Sequence, residues 1–198
     1  MKQLLAVLCL ALAPLAAHAQ NAPRVDLSGI DPAQVLAGAG DVLLRAPDGD
    51  IDRLFRAVHA ASRNESEARG LCALFEPDAD RSLPGLQRAA NALGGDSRAR
   101  FIEAVAAIAV NGLQAPRQPY DPAVGAQALK AATVTGMMLY DGFLLGLGST
   151  GTDTASRAAR CTAFRQLVDV LNDFDLGQRV AATRFLLNEG LTRYGGDL

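Results

Sequence analysis

The chain has 198 residues, 49% of them hydrophobic and 20% charged, with a formal net charge of −2, enough for one domain of ordinary size with a real core. Aromatic residues make up 5% and tryptophan is absent, so the core must be Leu, Ala and Val, a composition that suits close helix packing better than a sandwich or barrel. The mild acidity, and the lack of any block of five or more basic residues, argue against a nucleic-acid partner, because phosphate binding needs a concentrated basic footprint.

Residues 1–19 have the three parts of a secretory signal: Lys2, an apolar run over residues 4–15, and Ala17-His18-Ala19 as a small-x-small site. This predicts cleavage between Ala19 and Gln20 and a periplasmic destination. About twelve apolar residues are too few to cross a bilayer roughly 30 Å thick, and Cys9 lies mid-run among bulky neighbours, which argues against acylation there. Cys9 leaves with the signal, so Cys72 and Cys161 remain, an even number for an oxidising compartment. Apolar residues fall at Ala68, Leu71, Cys72 and Phe75, and again at Ala158, Cys161, Phe164, Leu167, Val168 and Leu171. Each cysteine thus sits on the buried stripe of its own helix, and a disulfide between them is expected; two separate core thiols are the alternative.

Residues 20–30 are polar, contain proline and have no periodicity, which predicts a loose arm. Asp31-Pro32 starts a helix carrying Val35, Leu36, Val42 and Leu43. After the turn at Ala46-Pro47-Asp48-Gly49, Asp50 is expected to cap a helix with Ile51, Leu54, Phe55, Val58 and Ala61 at helical spacing. Asn64 with Glu67 resembles a capping box, opening a new helix or continuing the same one. Ser82 opens a further helix through Leu83, Leu86, Ala90 and Leu93. Gly94-Gly95-Asp96 then reads as C-cap, turn and fresh N-cap. Phe101, Ile102, Val105, Ile108, Ala109 and Leu113 follow as an inward stripe. Residues 115–122, APRQPYDP, form an exposed connector, and a central apolar helix is expected over roughly residues 122–148. Asp153 or Thr152 caps the Cys161 helix, and Asp173 or Asp175 starts the last, with Leu176, Val180, Leu187, Leu191 and Tyr194 on one stripe. No segment alternates as a strand does. The expected fold is all-α: a single-domain bundle over residues 31–198, of about seven helices around the central apolar one.

Catalytic patterns are missing. The mature chain has one histidine, His59, so no H-E-x-x-H site exists, and a boundary histidine is its ordinary reading. No G-x-S-x-G elbow, P-loop or dinucleotide fingerprint is present. A Cys-His nucleophile pair conflicts with buried, oxidised cysteines. Asp48-Gly49-Asp50-Ile51-Asp52 has the alternating carboxylates of a calcium loop, but Arg53 and His59 stand where the turn glycine and bidentate glutamate belong; a turn and an N-cap explain the same residues. Glu103 with Asp141 can be nominated as a carboxylate pair, though sequence supplies no distance between them. No catalytic residue, metal or cofactor is assigned.

Asp141 stands out, a carboxylate within residues 131–148, the most apolar run of the mature chain. Such a run must be covered on nearly all sides, and a charge inside it is costly unless paired or wet. Arg157, Arg160 and Arg165 are its expected partners. Gly136, Gly142, Gly146 and Gly148, with Thr135, Met137 and Met138, permit either very close helix contact or an adaptable groove. Asp141, Met137, Met138 and Tyr140 are therefore the candidate binding residues. Asp141 and the glycines argue against a membrane span here. The profile (exported, small, helical, one disulfide, no catalytic set) is shared with periplasmic inhibitor and immunity proteins, without any motif in common. The expected function is a non-enzymatic periplasmic protein that binds another protein. A small-ligand or lipid-binding protein is the alternative, and an enzyme with an unfamiliar carboxylate site comes third.

Overall fold

Short polar side chains ahead of apolar runs start four of the described helices. The computed structural model describes residues 32–76, 78–80 and 83–194. Among them the chain forms α1 (Pro32–Arg45), α2 (Asp48–Ser62), α3 (Glu65–Ala73), α4 (Leu83–Asn91), α5 (Gly95–Gln114), α6 (Pro122–Leu139), α7 (Phe143–Leu147), α8 (Thr154–Asn172) and α9 (Leu176–Tyr194), and no strand. The class is all-α as expected, with nine helices among the described residues in place of about seven. Two breaks make the difference. Asn64 starts α3 as a helix of its own, and the central apolar run divides at residues 140–142 into α6 and α7. Residues 1–19, expected to be an export signal, residues 20–30, expected to be a loose arm, and Asp31 and Ser82 lie outside the described residues, as do the side chains of Val35, Leu36, Leu83, Leu86 and Tyr194.

Asn64 accepts from the backbone N–H of Ser66 (3.1 Å) and Glu67 (3.3 Å). Asp121, Asp153 and Asp175 accept likewise from Ala123, Ser156 and Gln178, each satisfying a donor that the first helical turn leaves open. Three expected caps are corrected. α2 begins at Asp48 behind Pro47, without a side-chain cap; Asp50 is buried inside it, accepting from Asn111 at 2.7 Å and Arg53 at 2.9 Å. α5 begins at Gly95 with Gly94 as its N-cap, so Asp96 lies already inside the helix. Glu67 does not complete a capping box. Its buried carboxylate crosses to the start of α5, accepting from Gly94 N–H (3.1 Å) and Ser97 Oγ (2.6 Å), where an anion answers the open N–H groups and the dipole.

The main core joins α2, α6, α8 and α9 through Phe55, Ala128, Ala132, Val168, Val170, Leu171 and Ala182. A second cluster, Leu43, Ala46, Ile51 and Val180, ties α1 and α2 to α9. Cys72 and Cys161 are bonded, S–S 2.04 Å with Cα atoms 5.2 Å apart, joining α3 to α8. Phe75, expected inward, is exposed and rests on Phe164, ring centroids 4.7 Å apart.

The expected inward stripe of α5 is also corrected. Ile102, Val105, Ala109 and Leu113 are exposed, while Ser97, Ala104 and Gly112 are buried. Backbone proximity decides this. A Cβ on Gly112 would stand 2.4 Å from the carbonyl oxygen of Val42 on α1, so only the small-residue face fits there. α6 repeats the arrangement, burying Gly125, Ala128, Ala132 and Gly136 and turning its larger apolar side chains outward.

Four arginines of α8 and α9 donate to carbonyls at or just after the ends of other elements. Arg184, 2% exposed, donates to Leu43 O and to Ala46 O (3.0 Å) at the end of α1, and to Asp48 (2.8 Å). Arg165 donates to Ser62 O at the end of α2 (2.8 Å). Arg179 donates to Asn172 O (3.3 Å) at the end of α8 and to Phe174 O (2.6 Å) just after it, pairs with Asp52 at 2.6 Å and lies over the Phe55 ring. Arg160 donates to Ser149 O (3.0 Å) and Gly151 O (2.7 Å) after α7. Cations at helix C-termini answer both the open carbonyls and the negative dipole end.

Candidate functional site

The divided apolar run is where this chain departs most from an ordinary bundle. Asp121 and Pro122 set the start of α6, and the Gly125, Ala128, Ala132, Gly136 face lets it settle against α8 and α9. A Cβ on Gly125 would stand 2.6 Å from Ala181 O. At Tyr140 the backbone turns extended, φ −131° and ψ 119°, while its N–H still reaches Gly136 O at 2.9 Å. Gly142 follows at φ 76°, the left-handed region in which a Cβ is penalised. The reversal folds the Phe143 ring back over Gly136 and leaves Phe143 1% exposed. α7 then runs along α8, with Gly146 seated against Ala159 and Ala163.

The expectation that this run is covered on nearly all sides is overturned. Met138 is 82% exposed and Leu145 81%, and Val134, Met137, Leu139, Leu144 and Leu147 are exposed as well. The inward positions are filled by small residues and Phe143, so the large side chains have no core to enter. Monomeric soluble proteins seldom leave so many large apolar side chains together, and such patches mark interaction surfaces.

Asp141 is not inside a helix and not buried. It is exposed in the turn between α6 and α7, and its side chain makes no hydrogen bond or ion pair among the described residues. The three arginines expected to meet it are engaged elsewhere. Arg157 pairs with Asp78 (2.9 Å) and Glu76 (3.5 Å), Arg160 with Glu76, and Arg165 with a carbonyl of α2. Water solvates Asp141 at no desolvation cost. Of the four candidate residues, Met137, Tyr140 and Asp141 meet Gly142, Leu144 and Leu145 around a shallow concavity of about 230 Å³. Tyr140 is half-buried with its ring against the main core, and Met138 stands on the open surface beside the concavity.

Sequence reasoning missed a second apolar surface. The outward stripe of α5 meets α1 and α9 in a groove of about 630 Å³, whose walls include Val42, Val105, Ile108, Leu113, Leu187 and Leu191. Its signal was visible as the helical spacing of Ile102, Val105, Ala109 and Leu113, but periodicity alone does not say which side of the stripe is covered.

The acidic sequence around Asp48 is dispersed. Asp48 meets Arg184, Asp50 meets Arg53 and Asn111, and Asp52 meets Arg179 and Arg56, so each carboxylate serves a different donor. No group of three or more metal-ligating side chains occurs among the described residues. His59 donates from Nε2 to the Asp169 carboxylate at 2.9 Å, its ring stacked near Phe55, as a boundary histidine joining α2 to α8. No helix among the described residues is long and apolar enough to cross a membrane. The chain matches no protein-family model, no curated protein and no solved structure.

Proposed function

We propose that this chain is an exported, non-enzymatic protein that binds another protein through the elbow between α6 and α7. The observation that carries the reading is the cluster of large, solvent-facing apolar side chains around one carboxylate that has no partner among the described residues. Burying a single Met or Leu side chain is worth about 1.5–3 kcal/mol, so a partner covering several of them gains ample driving force, while Asp141 supplies a polar anchor that fixes orientation. The periplasm is the proposed compartment, on the signal-like residues 1–19 and the cysteine pair.

The test is capture from a cell-envelope extract on immobilised protein, with Met138→Glu and Leu145→Glu as matched controls. Both residues are exposed, so these variants keep the fold. A partner that binds the wild type and neither variant is the expected result; a partner set indifferent to both substitutions removes the elbow from the reading. Fractionation, with mass measurement of the exported chain, checks the compartment and a start at Gln20.

A second reading is favoured by the α1–α5–α9 groove. Its apolar walls suit a lipid chain or another small apolar molecule. Native mass spectrometry of the purified protein would reveal a retained ligand, and Val105→Asp would abolish its retention. A carboxylate enzyme is the third reading, resting on Glu103 and Asp141 alone.

A further inference from the structure

The exposed side of α6 carries an arrangement that the buried side does not explain. Lys130, Ala131, Val134 and Met138 follow one another at spacings of one, three and four residues, on the side opposite Gly125, Ala128, Ala132 and Gly136, and the exposed Asp141 stands in the turn just beyond the end of α6, beside Met137. Lys130 on this stripe and Asp141 in the turn after it are the charges at its two ends, and Asp141 is the sole charged residue between Lys130 and Asp153. Both side chains are exposed, and neither has a hydrogen bond or ion pair among the described residues. The interval between them is apolar. Nine residues of helix, about 14 Å along the axis, separate Lys130 from the end of α6 at Leu139, which is too far for Lys130 to pair with Asp141 within one chain.

A twofold axis through the middle of the stripe resolves both unpaired charges at once. When two copies of α6 lie antiparallel with the axis beside Thr135 and Gly136, Lys130 of each copy falls opposite Asp141 of the other. Val134, Met137 and Met138 of the two copies then meet at the centre. The lysine also arrives at the C-terminal end of the opposing α6, where the dipole favours a cation. Such an isologous contact is the commonest symmetry of soluble oligomers. We propose that the protein docked on the elbow is a second copy of this chain, held antiparallel along α6 by two Lys130–Asp141 pairs around a Val134–Met137–Met138 centre. The proposal rests on reading the elbow as a protein-docking surface and names the partner for it.

Sedimentation or light scattering across a dilution series tests it with no unidentified molecule involved. Wild-type protein forms a concentration-dependent dimer. Lys130→Glu sets a carboxylate against Asp141 at both contacts, and Asp141→Lys sets an ammonium group against Lys130 at both. Each variant alone therefore dissociates at a concentration about tenfold higher or more. An equimolar mixture of the two variants restores opposite charges at both contacts, and dimer mass returns. Both substitutions lie at exposed, uncontacted side chains, and circular dichroism verifies that each variant stays folded. A wild-type protein that stays monomeric overturns self-association while leaving the capture experiment to judge the docking surface. A dimer indifferent to both reversals, or a mixture of variants that fails to re-form it, overturns the antiparallel pairing.

Discussion

Gly136 and Phe143 pack against each other across the break in the apolar run, so closely that a Cβ on Gly136 would stand 2.7 Å from ring atoms Cε1 and Cζ of Phe143. The aromatic ring fills the volume that a side chain at Gly136 would take. Gly136→Val is therefore expected to push the ring out of its seat, at a cost of about 1–3 kcal/mol, and to displace α7 from α8. Urea denaturation measures the first effect; hydrogen exchange of the α7 amides measures the second. An unchanged midpoint and unchanged protection would contradict this account of the elbow.

Arg184 is buried with two backbone carbonyls and Asp48 as its acceptors. Arg184→Met keeps most of the apolar stem but leaves the carbonyls of Leu43 and Ala46 without their donor. A loss of about 3 kcal/mol is expected, equivalent to a melting temperature lower by roughly 6–12 °C for a chain of this size. Thermal denaturation of the variant reads it directly.

Asp52 supplies the pH dependence. Burial alone would raise its carboxyl, but hydrogen bonding and charge from Arg179, followed by Arg56, more than reverse that, and its pKa lies below the ordinary carboxylate value. A group whose folded pKa is depressed stabilises the fold above its unfolded pKa, and loses that contribution as pH falls through the folded value. Asp52→Asn should therefore be less stable than wild type at neutral pH. The gap should narrow as pH drops below about 4 and close in stronger acid. Urea midpoints measured across that range test the sign; a gap that widens in acid would reverse it.

The Cys72–Cys161 bond closes a loop spanning 89 residues of sequence. In the chain-entropy account such a crosslink stabilises by about 4–5 kcal/mol, mostly by restricting the unfolded chain. Reduction, or the double substitution Cys72→Ser and Cys161→Ser, should lower the urea midpoint accordingly while leaving the helical circular dichroism of the folded protein intact. Loss of helix content on reduction in native buffer would mean that the bundle requires the bond to fold at all.

Helix existence is legible in the sequence because it depends on local chemistry. Asn64 caps α3 as expected, and of the alternatives offered for the last two helices Asp153 and Asp175 accept from the first turn; Asp121 does the same for α6, where no cap was expected. The cysteine pair is legible from two stripes. Facing is not. In α5 and α6 the rule that large apolar side chains point inward fails, because Gly112 and Gly125 bring backbones too close for anything larger. That is a property of the neighbouring helix, absent from the periodicity of either segment. The sequence marks Asp141 as unusual but suggests the wrong setting for it. One glycine at positive φ, Gly142, converts a costly buried charge into an exposed one, and nothing in the pattern of neighbouring glycines tells which of them would do so. Glu67 shows the same limit. The local capping pattern is present, yet the carboxylate serves a helix that begins almost thirty residues later.

The arginines of α8 and α9 have a consequence for the order of assembly. The donors that finish the end of α1 come from Arg184, 141 and 138 residues further along the chain, and the donor for the end of α2 comes from Arg165, 103 residues on. Contacts so distant in sequence form late and slowly. A nascent chain that has emerged only through α7 has Gln118 to serve Leu44 O, but lacks the arginine donors to Leu43 O, Ala46 O and Ser62 O. Completion waits for the last quarter of the sequence. A truncation before α9 would therefore do more than remove one helix: it would leave the first helix permanently unfinished.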